Sequence, residues 1–410
     1  MMVVQTTSGN TYSYLRSTNE IVSGCREEDL RPIRFAERKR IYEFPHLQTF
    51  TLGVTTKCNF RCIYCCYSGS YRNNRMHGNA SMSSADIDKI LDFVEAHAKV
   101  YPIILSFYGG ESLLEFPFIS QCVQKAGNRW GNSVRFEVST NGYLLSEACI
   151  DWLYRHEVNL FVSLDGTREY QDVQRPLADG RGTFIVIRKR LEYLQKTYPQ
   201  YVADKVMLLM TVMDMADLPS IAESWQNDEL LRRMPLGRIS AVAPNYGQGV
   251  SCLSFEETLE TYTRILKAYE RMPDSVVLKV FFERWLGEWT ERPVFEMEIP
   301  QEVPTCLPAN RKIYIDTACA LSVCEKVPDT FRFGSVQTGI DWEAVNEIAS
   351  KTYQLITDRC AECPIARLCD VCPAVLDLSG QEMDVYCHNQ LVMQKVKLQL
   401  FCEMAEKRLI

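Results

Sequence analysis

Cys58, Cys62 and Cys65 stand in a C-x3-C-x2-C segment that follows the β-type run FTLGVTT. Three thiolates on so short a loop leave one iron of a cubane cluster without a protein ligand, and an open iron can bind a small chelating molecule and pass it an electron. Zinc fits this segment less well, because a structural zinc takes four ligands and a catalytic one has no need of such compact spacing. A second group, Cys360, Cys363, Cys369 and Cys372 with Cys387 beyond, sets two C-x2-C pairs close together among Pro364 and Pro373. Zinc-ribbon knuckles stand about 15–20 residues apart, so zinc is the lesser option here too. Cys306, Cys319 and Cys324 form a third group. The chain has 17 cysteines, and the six outside these groups (Cys25, Cys66, Cys122, Cys149, Cys252, Cys402) read as small buried hydrophobes. The opening residues lack the basic start, apolar centre and cleavage site of an export signal, which places the chain in the cytoplasm. There thiols stay reduced, and metal is favoured over disulfides.

The elements that must position these groups alternate from residue 49 onward. FTLGVTT, IILSFYGGE, RFEVSTNG, NLFVSLDG and KVMLLMTVMD read as strands, separated by amphipathic helices such as ADIDKILDFVEAHAKV and FPFISQCVQKAGNRW. That rhythm builds parallel βαβ units, whose chemistry sits at the C-terminal strand ends. Three such ends carry polar motifs: Tyr108-Gly109-Gly110-Glu111, Ser139-Thr140-Asn141-Gly142 and Ser163-Leu164-Asp165-Gly166. Singly, each is a tight turn; in this order after the cysteine loop, they are expected to converge on one mouth. Past residue 250 the rhythm loosens into a helix at EETLETYTRILKAYERM, an aromatic stretch FFERWLGEW and a Pro-bearing link to Cys306. Ahead of it all, TYSYLRSTNEIVSG predicts a β-hairpin, which either packs on the main domain or offers an edge to an extended peptide. A net charge of -7 gives no sign of nucleic-acid binding, and no apolar run is long enough to span a membrane.

The cysteine segment, with Tyr64 before its third cysteine, resembles the motif of the radical SAM superfamily, and the strand-end motifs follow in that family's order. The resemblance implies an α/β fold: a partial (β/α)6 TIM-like barrel at 49–250, an N-terminal extension at 1–48, a helical linker at 251–305, and a cysteine-rich SPASM domain at 306–410. It implies S-adenosylmethionine on a [4Fe-4S] cluster held by Cys58, Cys62 and Cys65. Tyr108, Gly109, Gly110 and Glu111 would then receive the methionine ammonium group, while Ser139, Asn141, Ser163 and Asp165 line the adenosine region. Arg175 stands near the expected position of the cofactor carboxylate, although Gln171 replaces a His common in relatives. Two auxiliary [4Fe-4S] clusters are implied, one on Cys360, Cys363, Cys369 and Cys387, the other on Cys306, Cys324 and Cys372. Cys319, where relatives often have Gly, is either a fourth ligand of the latter or a bystander.

Enzymes of this plan mostly modify peptides, so the resemblance implies a radical SAM oxidoreductase that abstracts hydrogen from a ribosomally synthesised precursor peptide with a leader. The product would carry an intramolecular thioether or carbon-carbon cross-link, and ferredoxin or flavodoxin would donate electrons. The alternative is an anaerobic sulfatase-maturing enzyme that forms formylglycine; Glu325 stands where that group has an Asp proposed as a base. A non-enzymatic zinc or iron-sulfur scaffold is the reading from another class.

Overall fold

The structure is a computed structural model that describes residues 2–27, 31–69, 75–242, 251–296, 305, 306, 308, 310–372 and 380–410, the last with side chains from Met383 onward. Strands β1 (Met2–Gln5), β2 (Thr11–Leu15) and β3 (Glu20–Ser23) form an antiparallel meander of their own. The expected hairpin is its β2–β3 half, and β1 extends it. Met2, Val4 and Tyr14 bury one face of this sheet in the common core.

The next stretch alternates β4 (Thr49–Thr55), α1 (Ile87–His97), β5 (Ile103–Gly109), α2 (Phe116–Trp130), β6 (Val134–Thr140), α3 (Glu147–Arg155) and β7 (Asn159–Ser163). It continues through α4 (Arg168–Gln174), α5 (Phe184–Thr197), α6 (Pro199–Lys205), β8 (Val206–Val212), α7 (Leu218–Asn227) and β9 (Leu236–Ala241). β4 to β9 lie in sequence order, all parallel, and the alternating burial along β6, β7 and β8 turns one face of each strand fully into the core. The longer helices turn an apolar stripe inward, as at Ile87, Ile90, Leu91 and Val94 of α1, whereas the short α4 buries Gln171 and Gln174 instead. The helices α8 (Phe255–Arg271), α9 (Val276–Trp285) and α10 (Gly287–Thr290) then cross the β9 side, so the aromatic stretch at 281–289 is largely helical.

The cysteine-rich remainder does not build a sheet apart. Its strands β10 (Lys312–Ile315), β11 (Ala320–Ser322), β12 (Arg332–Ser335) and β13 (Gly339–Ile340) continue the main sheet beyond β4. β10 pairs parallel to β4 and the others antiparallel, giving ten strands in an open sheet with β13 and β9 at its ends. Among the described residues the sheet does not close into a barrel. Helices α11 (Trp342–Cys360) and α12 (Gly380–Glu406) complete the chain. The expected boundary at residue 250 falls outside the described residues.

Candidate radical site

The loop after β4 carries Cys58, Cys62 and Cys65, with its turns closed by Cys65 N–H donating to the Cys62 carbonyl at 3.1 Å. The backbone N–H groups of Phe60 and Tyr67 point at Cys58 Sγ and Cys65 Sγ, each at 3.4 Å. His77 Nε2 lies 3.5 Å from Cys65 Sγ. Burial pushes the Cys58 thiol up to about 12 and that of Cys62 up to about 11, the nearby Arg175 charge drawing Cys62 back. Cys65 is raised too, first by its hydrogen bond with Cys66 and then by burial. Burial thus disfavours the thiolate forms of these three cysteines, and binding a metal to them would release protons. Among the described residues, no group of three or more His, Cys, Asp or Glu is arranged to hold a single metal ion.

The Gly-Gly turn after β5 lies directly against this loop. A Cβ on Gly109 would sit 2.4 Å from the Thr55 carbonyl oxygen, and one on Gly110 would sit 2.2 Å from that of Lys57. Gly109 also has φ +148°, a region that only glycine adopts readily. The Gly110 N–H donates to Thr55 O at 2.9 Å and the Glu111 N–H to Lys57 O at 2.8 Å, so the two loops share a backbone seam. Glu111 is buried, its carboxylate accepting from Leu113 N–H (3.0 Å), Thr140 Oγ1 (2.6 Å) and Asn141 N–H (2.7 Å). The carboxylate thus locks β5's end to β6's end. Burial raises its pKa, against the pull of these three donors. Asn141 reaches on, its amide donating to Asn59 Oδ1 inside the cysteine loop at 2.8 Å. The Ser139 carbonyl accepts from Ser112 Oγ at 2.6 Å.

The end of β7 joins the same assembly through Asp165, which is fully buried. Its carboxylate accepts from the Tyr64 hydroxyl and from Thr211 N–H at 2.9 Å, with Arg175 Nη1 at 3.7 Å. Arg175 Nη1 also donates to the Tyr64 hydroxyl oxygen at 2.7 Å. Burial raises the Asp165 pKa, while Arg175 and Tyr64 work the other way. Burial alone would lower Arg175, but Cys62, Tyr64 and Asp165 push it well above its ordinary value. Gln171, the departure from the family pattern, is accommodated: its Oε1 accepts from Asp165 N–H and its Nε2 donates to Thr183 Oγ1, both at 3.0 Å. A neutral imidazole offers the same pair, one acceptor and one donor. Ser163 ends β7 in register with Leu209.

Residues 52–223 match a family model described as the Radical SAM superfamily. This stretch is a radical SAM domain. A serine-type anaerobic sulfatase-maturating enzyme of Bacteroides thetaiotaomicron is 27% identical over 149 residues, 35% of this chain and 35% of that one. The radical SAM cyclopropyl synthase TigE of Paramaledivibacter caminithermalis is 22% identical over 248 residues, 54% of this chain and 51% of its own. This chain therefore spans about half or less of the length of these curated relatives. Among solved structures, anSMEcpe with bound AdoMet and the Cp18Cys peptide superposes at a TM-score of 0.59 with 16% identity, covering 88% of this chain and all (100%) of that one. At that identity the likeness is one of fold.

A radical SAM domain implies S-adenosylmethionine and a [4Fe-4S] cluster, and the residues present fit both. The donors are three soft thiols on one loop, suited to iron-sulfur ligation. Beside the loop, Arg175 Nε and Gln174 Oε1 are buried without a hydrogen-bond partner, the kind of atoms a polar cofactor would satisfy.

Around the other rim, Glu325 faces the radical SAM domain from just after β11. Its carboxylate lies 2.6 Å from Lys312 Nζ on β10, and its side chain is 15% exposed, so it is no solvated surface group. Burial would raise its pKa, but the Lys312 ammonium wins and lowers it. Cys66, Tyr67, Tyr108 and Tyr314 feel the Glu325 charge, and Tyr67 Oη donates to the Glu325 carbonyl at 3.3 Å. Lys312, Tyr67 and Tyr314 carry no motif, and β10's position next to β4 brings Lys312 and Tyr314 to Tyr67 of the cysteine loop. Tyr64 did carry a signal, its place before Cys65, although not its bond to Asp165.

The C-terminal cysteines gather in two places. Cys369, raised to about 12 mainly by burial, also feels Cys363, Cys360 and Cys387. Cys306 and Cys324 each feel Cys372. Cys319 stands apart, buried at φ +60° in the β10–β11 turn, with Asp86, Asp316 and Lys89 the charges that act most on it. Of the six cysteines read as buried filler, Cys122, Cys149 and Cys402 are buried and Cys66 is half-buried. Cys25 and Cys252 are exposed, because one trails the end of β3 and the other lies in the loop before α8.

Proposed function

We propose that this chain is a radical SAM peptide maturase that takes hydrogen from a ribosomally made precursor peptide and closes an intramolecular thioether or carbon-carbon cross-link. The observation that carries the reading is the pair of hydrogen-bonded networks, Asn59–Asn141–Glu111 and Tyr64–Asp165–Arg175, that tie the cysteine loop to three strand ends. Such preorganisation fixes a cofactor's reactive atom against a substrate. When bound, S-adenosylmethionine beside a reduced [4Fe-4S] cluster supplies a 5'-deoxyadenosyl radical that takes a hydrogen atom from carbon. Closing the cross-link then removes a proton and an electron from the peptide, so the substrate loses two hydrogens in all.

The proton needs an acceptor in the chain, and Glu325, kept ionised by Lys312, is the candidate base. Two auxiliary [4Fe-4S] clusters would be held, one by Cys360, Cys363, Cys369 and Cys387, the other by Cys306, Cys324 and Cys372 with Cys319 a bystander, and would supply an acceptor for that electron. Ferredoxin or flavodoxin would be the external electron donor. Among the described residues no helix is long and apolar enough to cross a membrane, and we assign the protein to the cytoplasm.

Anaerobic reaction of the reconstituted chain with S-adenosylmethionine, a strong reductant and the peptide encoded nearest its gene tests the reading by mass spectrometry. We expect 5'-deoxyadenosine, a peptide lighter by two hydrogens, fragmentation blocked between two residues, and no reaction with a carbonyl reagent. Formation of 5'-deoxyadenosine after replacement of Cys58, Cys62 and Cys65 by Ala would overturn the reading. The second reading, formylglycine formation on a sulfatase, is favoured by the matched sulfatase-maturating relative, while Glu325 in place of that group's Asp weakens it. An aldehyde that captures the carbonyl reagent would establish it instead.

A further inference from the structure

The β2–β3 turn of the N-terminal meander is bound to the Cys360–Cys363 loop, 345 residues further along the chain. Arg16, 2% exposed, donates from Nη1 to the carbonyl of Cys363 at 2.9 Å and to that of Ala361 at 3.2 Å. Its Nη2 donates to the Arg31 carbonyl, and two residues on, Ile33 N–H donates to the Ala361 carbonyl at 2.7 Å. The tie is reciprocal. Arg367, between Cys363 and Cys369, donates from Nη1 to the carbonyls of Arg16 and Ser17, both at 3.1 Å, and its guanidinium covers the Phe295 ring at 4.5 Å. The meander itself is fixed from behind: Thr6, Asn10 and Tyr12 all donate to the Glu406 carboxylate on α12, and Tyr14 packs edge-on against Trp289 at 5.3 Å.

A guanidinium buried this deeply is costly unless its donors are met and its charge is offset. Two carbonyls of the Cys360–Cys363 loop meet its donors, and the Cys363 carbonyl bond, at 2.9 Å, sets the charge beside that cysteine's own backbone. A cluster held by four thiolates carries net negative charge, and its potential depends on such charge and on hydrogen bonds. We propose that the N-terminal meander is the clamp of the Cys360/Cys363/Cys369/Cys387 cluster, with Arg16 the positioning residue that sets the Cys363 loop and offsets the cluster's charge. This rests on the auxiliary-cluster reading above.

Full-length wild type, Arg16→Met and Arg16→Lys, reconstituted anaerobically, are compared by iron and sulfide per chain and by redox titration followed by electron paramagnetic resonance. Wild type should hold three clusters. Arg16→Met should lose one cluster's iron, or keep it at a more negative potential, while the signal of the Cys58–Cys65 cluster remains. Arg16→Lys keeps the charge without the guanidinium fork, and should retain the iron at a potential near wild type. Wild-type iron and unchanged potentials in Arg16→Met would overturn the clamp alone. A wild type that holds no iron beyond the first cluster would overturn the auxiliary-cluster reading and the clamp with it. Should Arg16→Met not fold, Arg16→Lys decides: a potential shifted as far as that of a cluster without its counter-charge would refute the charge role.

Discussion

The two cysteine-bearing regions are held in different ways. After β4, the loop is pinned by side chains from other strand ends, since Asn59 receives Asn141 and Tyr64 reaches Asp165 and Arg175. In the C-terminal region the thiols sit on segments fixed through main-chain atoms, by Cys363 N–H to the Cys360 carbonyl and by Arg16 from the meander. The first arrangement places polar side chains where a cofactor can meet them; in the second, Cys306, Cys372 and Cys387 are exposed and the charges of Arg359, Asp370 and Asp384 act on the thiols. The difference sets a buried polar network around the first cysteine loop apart from a backbone-held cysteine region that is more open to solvent.

The comparison breaks most easily at Gly110. Alanine there would push its Cβ to 2.2 Å from the Lys57 carbonyl oxygen and 3.1 Å from Cys58 Cβ, and both belong to backbone or cluster loop with little room to move. Gly110→Ala should abolish 5'-deoxyadenosine formation and lower the iron bound at the first site, both measurable on the reconstituted chain. Asp165→Asn comes next. Removing one partner of a buried charge pair costs about 3–5 kcal/mol, and here Arg175 loses its counter-charge while Tyr64 keeps only a neutral amide oxygen to donate to; denaturant unfolding of the metal-free chain should show that loss. Cys369→Ala acts on the other region. It should spare 5'-deoxyadenosine formation while peptide modification fails; equal loss of both would mean that Cys369 mainly holds the fold.

The parallel half was legible because its signals are local. The strands and helices read between residues 49 and 228 are present, shifted by no more than three residues at either end. β9 was not singled out: LGRISA is short and half exposed, without the apolar run of its neighbours. The site was legible where residues sit on strand ends in sequence order, as Glu111, Asn141 and Asp165 do. It was not legible for Lys312, whose partnership with Glu325 depends on β10 joining the sheet beside β4, a pairing between segments about 260 residues apart in sequence. The same holds for Arg16, an unremarkable residue in a turn until the fold carries it to Cys363.

The smallest effect separates a network that serves the site from one that serves only the fold. Asp228 closes α7 where the chain turns back toward β9, accepting from Leu230 N–H at 2.9 Å, Leu231 N–H at 3.1 Å and Arg188 Nε at 2.9 Å. Burial would raise its pKa, but Arg188 and the two N–H donors lower it. A carboxylate with a depressed folded-state pKa stabilises the fold above the ordinary Asp range, and that contribution is lost as pH falls through the depressed value. Asp228→Asn should therefore cost about 1 kcal/mol at neutral pH, a figure kept low because Arg188 is partly solvent-screened. The gap between variant and wild type should close in acid, as thermal unfolding across pH would show. The rate of 5'-deoxyadenosine formation should stay at the wild-type level, since none of these bonds reaches the cysteine loop; a matching fall in that rate would show that the site's network extends to the far end of the sheet.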